Sequence, residues 1–303
     1  MLACTACLHS KGLLLLQYPL PQAYFEVHVP IQCLGVVGAG AMGGGIAQLA
    51  AASGLEVLLF DASSAALAKT LQTAERRLRK QGAVDARLKG ADLSDMARVD
   101  AVVEAVPERL ELKCRIFADL DRHCRPEAVL ASNTSGLDID ALAAATGRPH
   151  LVAGMHFFNP PPRMALVELV AGTATADSTM QTLHALARHL GKTPIQVANH
   201  PGFAVNRVLM PMINEAIHAL DEGVASAADL DRALTLGAGH PIGPLALADF
   251  VGLDVVQDIL SSYERRFADP KYRPSPLLRR LVDRGDLGRK SGRGFFVYDG
   301  TTA

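Results

Sequence analysis

A glycine-rich turn between two short apolar segments constrains the fold of this chain more than any other stretch. The segment Cys33 to Val37 has the length and composition of a buried strand, and Gly38-Ala39-Gly40-Ala41-Met42-Gly43 follows it directly. An alanine-rich helix is predicted from about Met42 to Ser53. The next apolar segment, Val57 to Phe60, ends at Asp61. These segments predict a strand, a turn, a helix and a second strand in succession.

The spacing of the three glycines favours a dinucleotide-binding turn over a plain tight turn. Gly38 permits the turn itself, Gly40 lets the backbone approach a pyrophosphate, and Gly43 allows close packing of helix on strand. The amide groups and the dipole at the start of the helix favour phosphate. Asp61 stands about 20 residues further on, where a carboxylate accepts hydrogen bonds from ribose hydroxyls. No arginine occurs at positions 62 to 64, so we predict NAD rather than NADP as the cofactor.

Alternation of apolar strands and helices continues to about residue 199 and then stops. Further strands are predicted at Asp100 to Val106, Ala128 to Ala131, Leu151 to Met155, Leu166 to Val170 and Thr193 to Val197, with helices at Leu110 to Cys124 and Ser178 to Leu190. Later apolar residues recur only at helical spacing, which predicts helices at Phe203 to Leu220, Ala227 to Leu236, Leu245 to Phe267 and Pro276 to Arg284.

The predicted fold is therefore α/β: a Rossmann-like, doubly wound sheet domain over residues 32–199, followed by an all-α C-terminal domain over residues 200–303. Residues 1–31 have a mixed composition without a clear period. We interpret them as an N-terminal extension that is loosely ordered.

A histidine and a glutamate stand on either side of a proline-rich crossing. His156 follows the apolar segment Leu151 to Met155, and three prolines at positions 160 to 162 stiffen the chain after it. Glu168 lies inside the apolar segment Leu166 to Val170, where a carboxylate is costly unless it has a partner. The arrangement suits a general base and the carboxylate that orients it. Taken alone, a histidine at a strand end and an exposed glutamate would be the simpler interpretation.

Two further polar features each have a structural and a functional interpretation. The predicted helix Ala65 to Lys80 carries five basic residues, and a solvated face is a simpler explanation for them than a contact with the phosphates of an acyl carrier. The cluster Ser132-Asn133-Thr134-Ser135 follows a predicted strand. Such clusters often only cap a helix, but in a doubly wound sheet they lie at the edge where ligands bind.

Composition excludes several classes of protein. The 303 residues have a formal net charge of −1 and no long basic run, which argues against a nucleic-acid partner. No apolar segment reaches the roughly 18 residues that a membrane span needs. The five cysteines are scattered, and Cys4 and Cys7 have no second pair with which to form a metal site. We predict a cytoplasmic protein without a metal or a membrane segment.

The motifs together resemble those of the L-3-hydroxyacyl-CoA dehydrogenase family, in particular its bacterial 3-hydroxybutyryl-CoA dehydrogenase branch, over residues 33–299. The matching stretches are the glycine-rich turn, Glu104 to Glu108, Ser132 to Ser135, Gly154 to Pro160, Pro201 to Arg207, Gly239 to Pro244 and Gly288 to Gly292. Many dehydrogenases share the turn. The run His156-Phe157-Phe158-Asn159-Pro160 and its combination with the other stretches are specific to this family.

The resemblance implies a role for each matching residue. His156 matches the family's general base, and Glu168 matches the carboxylate that orients it. Ser135 and Asn206 match polar residues near the oxygen atoms of the substrate. The implied cofactor-binding residues are Gly38, Gly40, Ala41, Met42, Gly43, Asp61, Glu108, Lys113, Ser135, Asn159 and Lys290. The resemblance also implies a homodimer built by the helical domain.

Two departures from the family pattern concern the acyl-CoA. The family often has a lysine just before Leu-Val-Glu, where this chain has Ala165, with Arg163 two residues earlier. The segment between Asp61 and Glu104 is shorter than we expect for the bacterial relatives. Both departures bear on the affinity for CoA.

The predicted function is NAD-dependent oxidation of (S)-3-hydroxyacyl-CoA, with a short chain such as 3-hydroxybutyryl-CoA, to 3-oxoacyl-CoA. The resemblance places such a reaction in fatty acid metabolism, in β-oxidation. Two alternatives remain at this point. One is a dehydrogenase of a free hydroxy acid or sugar acid on the same scaffold, and the other is a protein that binds NAD without turnover.

Overall fold

A sheet of eight strands forms the first half of the protein, whose computed structural model describes residues 31–298. The strands are β1 (Cys33–Val37), β2 (Glu56–Phe60), β3 (Arg87–Gly90), β4 (Ala101–Glu104), β5 (Val129–Ser132), β6 (Val152–Phe157), β7 (Leu166–Ala171) and β8 (Thr193–Ala198). Their spatial order is β3-β2-β1-β4-β5-β6-β7-β8, and only β6 and β7 are antiparallel neighbours. The interpretation of residues 1–31, including Cys4 and Cys7, falls on a segment that lies outside the described residues except for Ile31.

Helices pack on the sheet in the first half of the protein, and the described part of the second half contains helices without a sheet. The first half contains α1 (Ala41–Ala52), α2 (Ser64–Lys80), α3 (Leu110–His123), α4 (Ile139–Ala143) and α5 (Asp177–His189). The second half contains α6 (Val205–Asp221), α7 (Ala227–Gly237), α8 (Pro244–Val251), α9 (Leu253–Phe267) and α10 (Pro276–Asp283). The predicted fold class, a Rossmann-like sheet followed by helices, is confirmed. No described helix is both long and apolar enough to cross a membrane.

Three hydrophobic clusters hold these elements together. Two of them lie on opposite faces of the sheet, which is why central strands such as β1 and β4 are buried along their whole length. The third is built from α6, α8, α9 and α10 and includes Ile213, Leu253 and Leu260, none of which is exposed. Each half therefore has an apolar core of its own.

The crossing between β6 and β7 is fixed from two sides. The Lys192 side chain is buried, and its ammonium donates hydrogen bonds to the Pro161 carbonyl at 2.7 Å and the Met164 carbonyl at 2.9 Å. On the other side Pro161 packs against α1, where a Cβ placed on Gly45 would lie 2.9 Å from the proline ring. The proline-stiffened crossing predicted from the sequence is thus also anchored to the helix that begins at the glycine-rich turn.

The second half ends in a loop that is held by a buried carboxylate. Asp249 accepts hydrogen bonds from the backbone N–H groups of Phe295 and Phe296 at 3.0 Å and from the Tyr298 hydroxyl at 2.9 Å. Burial raises the pKa of Asp249, although these three hydrogen bonds act in the opposite direction. The loop that carries Lys290 is thereby fixed to α8.

The sequence predictions of secondary structure were wrong for one helix, and they missed the short elements β3 and α4. The helix predicted at Leu245 to Phe267 is broken at Gly252, which has a φ of +104° and separates α8 from α9. Apolar spacing continues across the break, so periodicity alone did not reveal it. The edge strand β3 was not predicted, because its Arg-Leu-Lys-Gly sequence is mostly exposed and has no apolar pattern.

Replacing Gly252 with alanine tests this break. A residue with a Cβ is strained at this φ, so Gly252→Ala should lower the free energy of unfolding by about 1–3 kcal/mol. Gly237→Ala is the matched control, because it lies in a helix and a Cβ there meets no neighbour within 4 Å. Urea unfolding of both variants measures the difference. Equal stability of the two variants would contradict the strain argument.

Candidate active site

The carboxyl ends of four neighbouring parallel strands bring the predicted site residues to one edge of the sheet. The glycine-rich turn follows β1, Glu108 lies just beyond β4, Ser135 lies just beyond β5, and His156 is near the end of β6. Parallel strands place equivalent ends on the same side. Segments that are far apart in the sequence therefore form one surface.

The glycine-rich turn has the features that a pyrophosphate needs. Gly38 has a φ of +106°, and a Cβ there would lie 2.7 Å from the Ala105 carbonyl oxygen. A Cβ on Gly43 would lie 1.8 Å from the Gly38 carbonyl oxygen, so helix and turn can approach only because Gly43 has no side chain. A Cβ on Gly40 would meet nothing within 4 Å outside its chain neighbours. Gly38 and Gly43 thus allow the backbone to pack closely, and Gly40 leaves open space in front of the helix.

The carboxylate of Asp61 is fixed beside this turn. One oxygen accepts a hydrogen bond from the Ala39 N–H and the other accepts one from the Ser63 N–H, both at 2.7 Å. A cavity of about 500 Å³ opens in front of the turn. Besides the turn and α1, its lining includes Lys69, Thr70 and Arg77 of α2 and Asn159 and Pro160 of the crossing. Open backbone, a nearby carboxylate and basic side chains together fit the ribose and pyrophosphate of NAD.

His156 and Glu168 lie directly opposite each other on the antiparallel pair β6 and β7. His156 Nδ1 and Glu168 Oε2 are 2.8 Å apart, so the hydrogen bond predicted from the sequence is present. Glu168 is fully buried and the histidine is 7% exposed. The Phe158 and Phe203 rings lie 4.6 Å and 5.8 Å from the imidazole, measured between centroids. The exposed strand face considered for Glu168 is therefore wrong.

The second oxygen of Glu168 joins the two halves of the protein. Oε1 accepts hydrogen bonds from the Ala204 N–H at 3.0 Å and the Val205 N–H at 2.9 Å, at the start of α6. Burial acts to raise the pKa of Glu168, but the His156 hydrogen bond and the two N–H groups outweigh burial and lower it. Glu168 therefore stays ionised at neutral pH. Asn206, the next residue of α6, is placed by the same contact.

Glu108 and Ser135 meet in front of β4 and β5. Glu108 Oε1 accepts hydrogen bonds from the Thr134 hydroxyl at 2.6 Å, the Ser135 N–H at 2.9 Å and the Ser135 hydroxyl at 3.1 Å. Asn133 accepts a hydrogen bond from the Phe157 N–H at 2.8 Å. The polar cluster after β5 thus links the Glu108 carboxylate to the strand that carries His156.

The remaining predicted site residues differ in how they are placed. Ala41 and Met42 form the first turn of α1, and Asn159 is exposed to the cavity in front of it. Lys113 is fully buried behind Glu108. Lys290 lies in the second half, where its ammonium is 2.5 Å from Asp254. Neither lysine lines the cavity in front of the turn, and their roles toward the cofactor stay predictions.

Sequence reasoning missed three buried polar residues near the site. Glu104 and Lys192 received no role of their own, and Ser132 was considered only as part of the polar cluster that follows β5. A charge at the end of an apolar strand, as in Glu104, was the available signal, and it is the same signal that identified Glu168.

The fold, the open glycine-rich turn and the fixed Asp61 carboxylate define the class of protein: an NAD-binding dehydrogenase. Residues 33–200 match the family model of the 3-hydroxyacyl-CoA dehydrogenase NAD-binding domain, and residues 202–298 match that of the C-terminal domain. These two matches leave only residues 1–32, 201 and 299–303 unassigned.

Individual proteins agree with the family models. A 3-hydroxybutyryl-CoA dehydrogenase of Bradyrhizobium diazoefficiens is 44% identical over 282 residues, covering 89% of this chain and 96% of the relative. The human mitochondrial hydroxyacyl-coenzyme A dehydrogenase is 41% identical over 282 residues, covering 87% and 90%. The crystal structure of (S)-3-hydroxybutyryl-CoA dehydrogenase from Ralstonia eutropha superposes with a TM-score of 0.85 at 46% identity, covering 89% and 100%. The chain belongs to the 3-hydroxyacyl-CoA dehydrogenase family.

Substitutions of His156 and Glu168 test whether the two residues act as a unit. His156→Ala should cut turnover by about 10²- to 10⁴-fold, which is the usual contribution of a general base. Glu168→Gln should also cut turnover, because a neutral amide cannot stabilise an imidazolium. The double variant should be little worse than His156→Ala, since both changes affect the same proton transfer.

Turnover is measured for both single variants and the double variant. NADH affinity and melting temperature serve as controls, because the predicted cofactor-binding residues include neither His156 nor Glu168. Near-normal turnover in a folded His156→Ala protein would rule out the role of the histidine as base, and fully additive losses would rule out a shared role.

Proposed function

We propose that the protein oxidises (S)-3-hydroxyacyl-CoA to 3-oxoacyl-CoA with NAD, and that His156 is the general base. The observation that carries this proposal is the buried hydrogen bond between His156 and the ionised Glu168, at the same edge of the sheet as the glycine-rich turn. A base must stand beside the cofactor when a secondary alcohol is oxidised, because a proton leaves the oxygen while a hydride leaves the carbon.

The Glu168 carboxylate determines which nitrogen of His156 can accept a proton. With Nδ1–H donating to Glu168, the proton on that nitrogen is fixed and Nε2 is the atom that accepts a proton. Nε2 then takes the proton of the substrate hydroxyl, and the imidazolium that results faces the negative charge of Glu168. When bound, the nicotinamide of NAD accepts the hydride. In the reverse reaction, Nε2–H returns its proton to the 3-oxo oxygen.

Polar residues around the histidine would hold the substrate and the cofactor. Ser135 and Asn206 approach the same edge from β5 and α6, and we assign them to the oxygen atoms of the acyl group. The open turn at Gly40 would hold the pyrophosphate, and Asp61 the ribose hydroxyls. Asn159 lines the same cavity and would contact the cofactor there.

The acyl group is proposed to be short and carried by CoA. Relatives at 44% and 46% identity are named 3-hydroxybutyryl-CoA dehydrogenases, and they cover nearly the whole described chain. The remaining basic residues of α2 support a phosphate-bearing substrate, since Arg76, Arg79 and Lys80 are exposed on this helix and do not line the cavity in front of the turn.

Oxidation of NADH with acetoacetyl-CoA tests the proposed substrate. We expect rapid loss of NADH absorbance with acetoacetyl-CoA, and a much lower rate with free acetoacetate as the matched control without CoA. In the forward direction the (S) form of 3-hydroxybutyryl-CoA should react and the (R) form should not. A rate on free acetoacetate equal to that on the CoA ester would favour a dehydrogenase of free hydroxy acids. No turnover of either would favour a protein that only binds NAD.

Replacing Asp61 tests the preference for NAD. A 2′-phosphate would meet this carboxylate, so Asp61→Ala should raise the ratio of kcat/KM with NADPH to that with NADH by about tenfold, or ~1.4 kcal/mol. Asp61→Asn removes the charge but keeps one of the two loop contacts, because its single amide oxygen can accept from the Ala39 N–H while its NH₂ group cannot accept from the Ser63 N–H. A wild-type protein that uses NADPH as efficiently as NADH would contradict the prediction.

We also propose that the second half of the protein forms a homodimer. Large apolar side chains are exposed there, including Val208, which is 69% exposed on α6, and Phe250 at the end of α8. A domain of this size has a limited core of its own. Burying these side chains between two copies would remove them from water.

Light scattering at micromolar concentration tests the dimer. Val208→Asp should shift the mass toward the monomer, because it places a charge in the proposed interface. Val84→Asp is the matched control, since Val84 is similarly exposed at 75% but lies in the first half. A monomeric wild-type protein, or equal effects of the two changes, would contradict this proposal.

A reducing compartment such as the cytoplasm is proposed from the cysteines. Cys33, Cys114 and Cys124 are free thiols among the described residues, and burial raises the pKa of Cys124 to about 11. Thiols that are buried and unpaired are typical of proteins kept in reducing conditions.

A further inference from the structure

A carboxylate without any exposed surface lies beneath the site at the end of β4. Glu104 is in register with Val37 of β1 on one side and Ser132 of β5 on the other. Oε1 accepts hydrogen bonds from the Val106 N–H at 2.6 Å and the Lys113 ammonium at 2.8 Å, and Oε2 accepts one from the Ser132 hydroxyl at 2.7 Å. Burying a carboxylate costs several kcal/mol unless it is compensated in this way.

The ammonium of Lys113 stands between two carboxylates. The lysine lies in the first turns of α3 and has no exposed side-chain surface. Its Nζ is 2.8 Å from Glu104 Oε1, 3.2 Å from the Val106 carbonyl and 3.5 Å from Glu108 Oε2. Three donors thus face three acceptors. The first contact is fully buried, whereas the last reaches a carboxylate that is 40% exposed.

The exposed end of this chain of contacts is the candidate substrate serine. Glu108 faces Lys113 with Oε2 and holds the N–H and hydroxyl of Ser135 with Oε1. A side chain with three rotatable bonds keeps one orientation only when both ends are fixed. The Lys113 ammonium holds one carboxylate oxygen of Glu108, and Thr134 and Ser135 hold the other.

We propose that Glu104, Lys113 and Ser132 are positioning residues for the reaction. They hold a buried charge that fixes the Glu108 carboxylate, and Glu108 in turn orients the Ser135 hydroxyl. Lys113 would therefore act on Ser135 through Glu108. The inference rests on the proposed roles of Glu108 and Ser135.

A purely structural cluster is the competing explanation, and the geometry separates the two. An ion pair that served folding alone could be replaced by apolar side chains at little or no cost in stability. Here the lysine also contacts Glu108, and that contact adds nothing to the neutralisation of Glu104. A structural role predicts that the loss of the pair leaves kinetics unchanged in a folded protein, whereas a positioning role predicts a kinetic loss that depends on Glu108.

The test removes both buried charges at once. In E104Q/K113M the amide oxygen introduced at position 104 can accept from the Val106 N–H, the amide NH₂ can donate to the Ser132 hydroxyl, and no unpaired buried charge remains. With acetoacetyl-CoA and NADH we expect kcat/KM to fall about tenfold or more, mainly through kcat. D100N/R125M is the matched control, because it removes a partly buried ion pair at the opposite edge of the sheet. Its kinetics should match the wild type.

A thermodynamic cycle with E108Q shows whether the loss in E104Q/K113M acts through Glu108. In the E108Q background, E104Q/K113M should lower kcat/KM far less, because the Glu108 carboxylate that it is meant to disturb is already absent. The same proteins are compared for NADH affinity, which requires no acyl substrate. An inactive wild type would contradict the proposed substrate but would leave this comparison intact. A loss of NADH affinity that appears only where Glu108 is present would support the inference. An equal loss in both backgrounds would mean that Lys113 contacts the cofactor directly, and it would overturn the inference.

Two results would overturn the inference: wild-type kinetics in a folded E104Q/K113M protein, or equal losses in both backgrounds at position 108. Glu104→Gln alone covers the case in which the double variant does not fold. It frees the ammonium from its buried partner, so Lys113 should move toward Glu108 and change kcat/KM only where Glu108 is present. No change in either background would reject the proposal.

Discussion

The carboxylate of Glu168 is the interaction on which the rest of this site depends. It is fully buried, and its charge is accommodated by His156 on one oxygen and by two N–H groups at the start of α6 on the other. Desolvation alone would favour the neutral acid, but these three donors keep the group ionised. The same negative charge orients the imidazole and positions the helix that carries Asn206. One side chain therefore positions the proposed base, the proposed substrate contact and the junction between the two halves.

The topology of the sheet explains how residues far apart in the sequence come together in one site. Parallel strands β1, β4, β5 and β6 bring their carboxyl ends together, so cofactor turn, Glu108, Ser135 and His156 need no long loops. The one antiparallel step, from β6 to β7, then folds the chain back and places Glu168 opposite the histidine. Lys192 and the contact of Pro161 with α1 hold that crossing still. The site residues are therefore positioned by the strands and by the short segments that follow them.

Much of this arrangement could be predicted from the sequence, and the reasons differ between residues. The glycine-rich turn was readable because its chemistry demands small residues at fixed spacing, and Glu168 was conspicuous as a charge in an apolar segment. The break at Gly252 was not readable, because apolar spacing runs through it. The contact of Glu168 with α6 was also hidden, since it joins a strand to backbone atoms about 36 residues later, and backbone donors leave no trace in a sequence. The place of Lys113 behind Glu108 was hidden for a different reason, since the sequence does not show that this charged side chain is buried.

The contact between Glu168 and the first turn of α6 also has a consequence for the order of folding. During synthesis, the chain through β7 is complete before Ala204 and Val205 have been added. Until then the buried carboxylate lacks two of its three donors, and the cost of burying it is only partly offset. The strand pair that holds the histidine therefore reaches its final stability only after the helical half begins to dock. Although each half has its own apolar core, a nascent or truncated first half would hold the histidine through a carboxylate that is itself incompletely paired.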